Sequence, residues 1–99
     1  MKYLWSVATG NVNPLYKASR EAVKYVQTLD GFRAVYPTPN RVGTLWLFDS
    51  ENNAKGARNL MKSKGIKCGE NICRFRQDDN GKFVFDDPKF TEDRDDDAL

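Results

Sequence analysis

The segment Val42–Phe48 (VGTLWLF) is apolar at almost every position, which limits the folds open to this chain. Side chains on a β-strand alternate between its two faces, so Leu45 and Leu47 share one face. Trp46 and Phe48 share the opposite face. A strand that is apolar on both faces needs a packed layer on one side and further protein or a ligand on the other. The main question is therefore what covers each face.

Two segments have the three- and four-residue apolar spacing of amphipathic helices. The first is expected to begin with Asn13 as its N-cap and Pro14 as its first helical residue. The second is capped by Asp49 or Ser50 and ends at Gly65. The apolar positions are Leu15, Ala18, Ala22, Val26 and Leu29 in the first helix and Ala54, Ala57, Leu60 and Met61 in the second.

Four other segments have the aromatic and β-branched composition of strands: Lys2–Thr9, Phe32–Tyr36, Ile72–Arg76 and Lys82–Asp86. The elements then follow the order β-α-β-β-α-β with an added C-terminal strand. This order predicts an α+β fold, specifically a ferredoxin-like sandwich in which two helices cover one face of an antiparallel sheet. A different small α+β arrangement is the alternative. We expect one domain over residues 1–88 and an acidic, flexible tail over residues 89–99.

The simplest assignment of the sheet faces places Leu45 and Leu47 beneath the helices. Trp46 and Phe48 are then expected on the uncovered face, with Trp5 beside them. The arginines of the second and fourth strands are expected on that face too, since their neighbours in the sequence are apolar. The candidate binding residues are therefore Trp5, Trp46, Phe48, Arg33, Arg74 and Arg76.

Flat rings at the centre of a sheet with cations at its edges are typical of surfaces on which nucleic-acid bases stack. Each stacked base contributes roughly 1–3 kcal/mol, so two exposed tryptophans would matter. The alternative is that the protein covers this face itself. In that case Phe83, Phe85 and Phe90, or a second copy of the chain, would bury the rings.

The chain has no histidine, which excludes Ser-His and Cys-His pairs and imidazole metal ligands. Cys68 and Cys73 are too few for a four-thiolate zinc site, and their spacing is not the redox C-x-x-C pattern. A turn between them could bring the thiols together, or both could be small buried hydrophobes. The aspartates of the tail are interpreted as solvated charges. We expect no catalytic residues, no metal and no cofactor.

Charge is distributed unevenly along the chain. Residues 1–76 contain thirteen Lys/Arg and five Asp/Glu, a net charge of +8. Residues 77–99 contain three Lys/Arg and nine Asp/Glu, a net charge of −6. A basic body favours phosphates or acidic protein surfaces as partners, and the acidic end could fold back on it. No segment has the length of a membrane span or the features of a signal peptide, which predicts a cytoplasmic protein.

The segment Arg41–Phe75 resembles the second half of an RNA-recognition motif. That family has a strand of basic, glycine and aromatic residues, followed by a helix with paired alanines, a glycine turn and a last strand. Here Phe48 is followed by Ala54 and Ala57 at the family's spacing, and the stretch GIKCGENICRF matches the end of the helix and the last strand. The resemblance implies a ferredoxin-like fold and contact with RNA through the open sheet face.

The positions at which that family stacks bases depart from its pattern. Aligned on Phe48, the two stacking positions are Gly43 and Leu45. Aligned on Gly43, they are Thr44 and Trp46, and the first strand contributes Trp5. The resemblance therefore carries RNA contacts over only to Trp5 and Trp46.

Binding without catalysis is the function that these features favour. We expect a small domain that contacts another protein or a second copy of itself, of the inhibitor or adaptor type found among phages and mobile elements. Binding of single-stranded nucleic acid, RNA in particular, is the alternative. A small hydrolase is the third possibility, but no group of residues supports its chemistry.

Overall fold

The structure, a computed structural model, describes residues 2–13, 15–38 and 42–89. The predicted tail, residues 89–99, lies outside these ranges except for Lys89, so Phe90 lies outside them as well. The elements are β1 (Tyr3–Gly10), α1 (Lys17–Gln27), β2 (Phe32–Pro37), β3 (Gly43–Phe48), α2 (Glu51–Ser63), β4 (Cys73–Gln77) and β5 (Phe83–Phe85). All neighbouring strands are antiparallel, and their order across the sheet is β2-β3-β1-β4-β5. The predicted α+β class is confirmed.

The hydrophobic core lies between the central strands and the two helices. In the β1–β3 pair, Val7 is opposite Trp46 and Trp5 is opposite Phe48, so these side chains share one face. The buried core cluster comprises Val7, Val26, Trp46, Phe48, Ala54, Ala57, Met61 and Ile72. Because α2 contributes two alanines to this cluster, its backbone can lie close to the sheet.

The second helix begins where the sequence predicts. The Ser50 hydroxyl accepts a hydrogen bond from the backbone N–H of Asn53 at 3.1 Å, so Ser50 is the N-cap. The helix ends before Gly65, which has a φ of 85°. Only glycine adopts this left-handed conformation without strain, which explains the end of the helix at this position.

The first helix begins later than predicted. Its N-cap is Tyr16, without a side-chain cap, and the Asn13 side chain instead accepts a hydrogen bond from the backbone N–H of Leu15 at 3.0 Å. This local turn competes with helix formation, so the predicted start at Asn13 is wrong. Leu15 is 84% exposed and does not belong to the buried stripe.

A β-bulge changes the side-chain directions in β2. Phe32 is opposite Phe48, but Ala34 is opposite Leu47, so Arg33 is the extra residue. Phe32 and Val35 consequently pack against the core, whereas Ala34 and Tyr36 point away from the helices. Phe32 and Tyr36 therefore lie on opposite faces of the sheet, whereas regular alternation along β2 would place them on the same face.

The sheet curls on the side that the helices leave uncovered. Tyr36 of β2 and Phe83 of β5 lie on opposite edge strands, yet their ring centroids are only 6.4 Å apart. The predicted β4–β5 hairpin is present, and Gly81 in its turn has a φ of 83°. No helix in the described ranges is both long and apolar enough to cross a lipid bilayer.

Candidate functional site

Trp46 and Phe48 lie beneath the helices, not on the uncovered face. Their exposed fractions are 1% and 0%, and both belong to the core cluster. The prediction that they line an open surface is therefore wrong. The helices present small side chains such as Ala54 and Ala57 to the sheet, so large rings are needed to fill this layer at native density.

The polar atom of the buried indole has a partner in β1. Trp46 Nε1 donates a hydrogen bond to Thr9 Oγ1 at 2.8 Å, and Thr9 Oγ1 in turn donates to the carbonyl of Gly10 at 3.0 Å. A buried N–H without a partner would cost about 1–3 kcal/mol. Thr9 therefore makes the burial of a tryptophan possible at this position.

Trp5 and the three arginines do not form a surface with Trp46. Trp5 is half-buried, packs against the core cluster and is opposite Phe48, so it also faces the helix side. Arg74 is opposite Trp5 in the β1–β4 pair, and Arg76 is opposite Tyr3. Arg33 lies in the bulge of β2, at the far edge of the sheet.

Each of these arginines contacts an acidic residue. The Arg33 guanidinium is 3.2 Å from an Asp49 carboxylate oxygen. Arg76 Nε is 3.2 Å from Asp86, and Arg74 Nε donates to the Asp86 backbone carbonyl at 2.8 Å. The structure thus brings Trp5, Arg74 and Arg76 together on the helix side and leaves Arg33 apart from them. The prediction that all three arginines lie on the uncovered face is therefore wrong for Arg74 and Arg76, which lie on the helix side.

The uncovered face of the sheet carries the leucines and the phenylalanines. Leu45 and Leu47 point to this side, as do Phe75 of β4 and Phe83 of β5. With Tyr36, Pro37 and Lys82 they enclose a half-open cavity of about 410 Å³, here called the trough. Its lining residues are Tyr36, Pro37, Leu45, Leu47, Phe75, Lys82 and Phe83.

The residues after β5 contact β4 and the start of α2. The buried Asp87 carboxylate accepts hydrogen bonds from the backbone N–H groups of Arg74 and Lys89, each at 3.0 Å. Lys89 Nζ is 3.7 Å from a carboxylate oxygen of Glu51, the first residue of α2. The chain thus returns toward the start of α2, whereas Leu45 lies near the opposite end of β3.

The two cysteines are free and lie on opposite faces of the sheet. Cys73 is opposite Ser6 on the uncovered side, and Cys68 packs against the core cluster on the helix side. Burial raises the pKa of both thiols, and the nearby Asp87 carboxylate raises that of Cys73 further. A protonated thiol is a weak nucleophile, so neither cysteine has the environment of a reactive one.

The trough has no signal in the order of residues along the chain. Tyr36 and Phe83 are far apart in the sequence, and only the curl of the sheet brings their rings together. The choice between the two faces does have a signal: a helix whose apolar stripe contains two alanines requires larger side chains opposite it. That signal favours Trp46 over Leu45 beneath the helices.

The chain matches no protein-family model, and it has no significant match among curated proteins or solved structures. The resemblance to the RNA-recognition motif therefore rests on the sequence pattern alone. Of its two alignments, the one that uses Gly43 and Leu45 corresponds to the uncovered face of β3. Neither of those residues has a ring on which a base could stack.

Proposed function

We propose that this protein is a small non-catalytic binding domain that acts through protein–protein interaction, with the trough as its contact surface. The supporting observation is a half-open apolar cavity between two edge strands, with an aromatic ring on each wall. Tyr36 is 46% exposed although it is large and apolar over most of its surface. Exposed apolar surface of this kind is typical of interaction sites.

A protein partner suits the trough better than a small molecule does. Small-molecule sites usually bury about 70–90% of the ligand surface, which requires an enclosed pocket. This cavity is open along one side, and part of its lining, including Phe83, is only half-buried. A protein partner can cover such a surface because the rest of its structure extends over the rim.

The finer fold assignment belongs to this proposal. The order β2-β3-β1-β4, with β1 and β3 at the centre, supports a ferredoxin-like β-α-β-β-α-β arrangement to which β5 adds an edge. Contacts of Ala54 and Val26 with the core cluster support the location of both helices on one face. In such an arrangement the face opposite the helices can bind a partner where it is open, at the trough, whereas Leu4 and Leu47 on the same face are buried.

The nucleic-acid hypothesis has less support. The rings on which it depended are buried beneath the helices or packed against the core. The phenylalanines and Tyr36 of the trough offer rings, but the cation in the lining is Lys82 alone among the described residues. Phosphate-backbone recognition usually uses several cations along a groove.

The test compares two variants with matched exposure. The double variant Tyr36→Ser/Phe83→Ser removes the rings on the walls of the trough, whereas Leu60→Ser removes a side chain on α2 that is 48% exposed. Each purified full-length protein is immobilised and exposed to lysate from the source cells, and retained proteins are quantified by mass spectrometry. Circular dichroism confirms that each variant is folded.

We expect a specific partner to be retained by the wild type and by Leu60→Ser, and retained about tenfold less by the trough variant. Equal retention by all three proteins would contradict the proposal, as would loss with Leu60→Ser alone. Light scattering of the purified wild type determines whether the partner is a second copy of the chain.

A further inference from the structure

We infer that the trough accepts an extended peptide segment of a partner protein, in which a large apolar side chain lies next to acidic residues. This inference rests on the proposed function and refines it by naming the chemistry of the partner. Three features of the trough carry it: its one cation, its two strand edges and its apolar floor.

Among the described residues that line the trough, Lys82 alone is charged. It is exposed, and its ammonium group takes part in none of the ion pairs found among the described residues. An apolar cavity whose described lining carries one cation favours a ligand that is apolar with an adjacent negative charge.

The hairpin turn holds this lysine in place. The Lys82 backbone N–H donates to Asp78 Oδ1 at 2.9 Å, and its carbonyl accepts from the Asp78 N–H at 2.8 Å. Asp78 Oδ1 also accepts a hydrogen bond from the Asn80 N–H at 2.9 Å. Because two backbone amides engage this carboxylate oxygen, the aspartate stabilises the turn, and the lysine side chain extends from it.

The walls of the trough explain why the segment should be extended. Each of the two edge strands, β2 and β5, pairs with a neighbour on one side only. The outer backbone groups in the middle of β2 can therefore pair with an added strand, whereas the Phe32 N–H already donates to the Leu29 carbonyl and Pro37 has no N–H. Recognition by strand addition uses such an edge for backbone hydrogen bonds and a neighbouring pocket for alternate side chains.

The floor of the trough explains the apolar side chain. Leu45, Leu47 and Phe75 form it, and its volume of about 410 Å³ lies within the range of roughly 300–1,000 Å³ typical of ligand pockets. A Phe, Leu or Trp side chain that enters it removes apolar surface from water on both molecules.

The charge of the chain before its acidic end agrees with an acidic partner, although the whole chain carries a net charge of only +2. Residues 1–89 contain fifteen Lys/Arg and nine Asp/Glu, a net charge of +6. A field of this sign attracts an acidic segment before contact and increases the rate of association. The C-terminal part of the chain contains a segment of the required chemistry, Phe90 followed by Thr-Glu-Asp, so occupation by these residues is the competing outcome.

The experiment selects peptides from a phage-displayed random library on the immobilised full-length wild type. The same selection is made on Lys82→Glu and on Lys67→Glu, an exposed lysine outside the trough whose substitution changes the net charge equally. Selected peptides are then synthesised, and their affinities are measured by fluorescence anisotropy for all variants, including Tyr36→Ser/Phe83→Ser and Phe90→Ser.

We expect the wild type and Lys67→Glu to enrich peptides with an aromatic or large aliphatic residue beside Asp or Glu. Lys82→Glu should instead enrich basic neighbours and bind the original peptides about tenfold more weakly. The double trough variant should lose about tenfold or more in affinity.

Three outcomes would overturn the inference but not the proposed function. Apolar peptides without an acidic preference, or peptides whose binding does not change in Lys82→Glu, would remove the charge requirement. If Phe90→Ser binds the peptides more tightly than the wild type does, the segment that begins at Phe90 occupies the trough in the wild type. Selected peptides whose binding does not change in the double trough variant would overturn both proposals, because the contact surface would lie elsewhere.

Discussion

The two faces of the sheet differ in what covers them, although both are apolar. On the helix side, Trp46 and Phe48 are sealed by α1 and α2, and the indole N–H has a partner in Thr9. On the other side, Leu45 and Phe75 form the floor of a trough that remains half-open. Apolar composition alone therefore does not distinguish a core from a binding surface.

Truncation of Trp46 should have the largest effect. The Trp46→Ala variant should lose about 3–5 kcal/mol of unfolding free energy, because it leaves a cavity in the sealed layer. Leu45→Ala, on the trough side of the same strand, should lose only about 1–2 kcal/mol since Leu45 is partly exposed already. Urea denaturation measures both values. Equal losses would mean that the two faces are equally buried.

Removal of the hydrogen-bond partner of the Trp46 indole should cause the second-largest loss of unfolding free energy. Thr9→Val keeps the shape of the side chain but leaves the Trp46 N–H unsatisfied, so it should cost about 1–3 kcal/mol. Thr9→Ser, which retains the hydroxyl, is the matched control and should cost less. The same denaturation experiment applies. A Thr9→Val variant as stable as Thr9→Ser would show that water or another group satisfies the indole.

The two thiols should give stability a pH dependence at alkaline pH. Burial raises the pKa of Cys68 and Cys73 above that of the unfolded chain. The folded state therefore holds these protons more tightly, and their contribution is fully present below the unfolded pKa. It is lost as the pH rises through the folded pKa.

Thermal unfolding between neutral pH and pH 10 measures this contribution. The double variant Cys68→Ser/Cys73→Ser should show a weaker decline in stability than the wild type. The single variants should show how much of this decline comes from Cys68, on the helix side, and how much comes from Cys73, on the uncovered side. A wild type and a double variant that decline in parallel would contradict the prediction.

Loss of the exposed ring should have the smallest effect on stability. Tyr36→Ser should change the unfolding free energy by no more than about 0.5–1 kcal/mol, because nearly half of the side chain is already in water. Its effect on partner binding should be much larger. A large loss of stability would instead indicate that the Tyr36–Phe83 contact holds the curl of the sheet.

Much of the fold could be predicted from the sequence because its signals are local. The cap at Ser50, the turn at Gly81 and the strand alternation around Trp46 each depend on nearby residues. The start of α1 could not be predicted, since the Asn13 side chain forms a short turn in place of the expected cap. The bulge at Arg33 has no local signal, and it reverses the faces of the residues that follow it.

The candidate site could be predicted only in part. Alternation established that Leu45 and Leu47 share a face and that Trp46 and Phe48 share the other, and the structure has the same grouping. It could not establish which pair faces the helices, because both pairs are apolar. The predicted binding residues were therefore assigned to the wrong side.

Local sequence patterns are sufficient to predict the α+β class, most of the element boundaries and the residues that share each strand face. Which face the helices cover depends on how the two layers pack together. The reason is volume: the alanines of α2 leave a layer that Trp46 and Phe48 fill, and Thr9 supplies the hydrogen bond that an indole needs there. Leu45 and Leu47 therefore lie on the opposite, curled side of the sheet, where the rings of Tyr36 and Phe83 are close to each other.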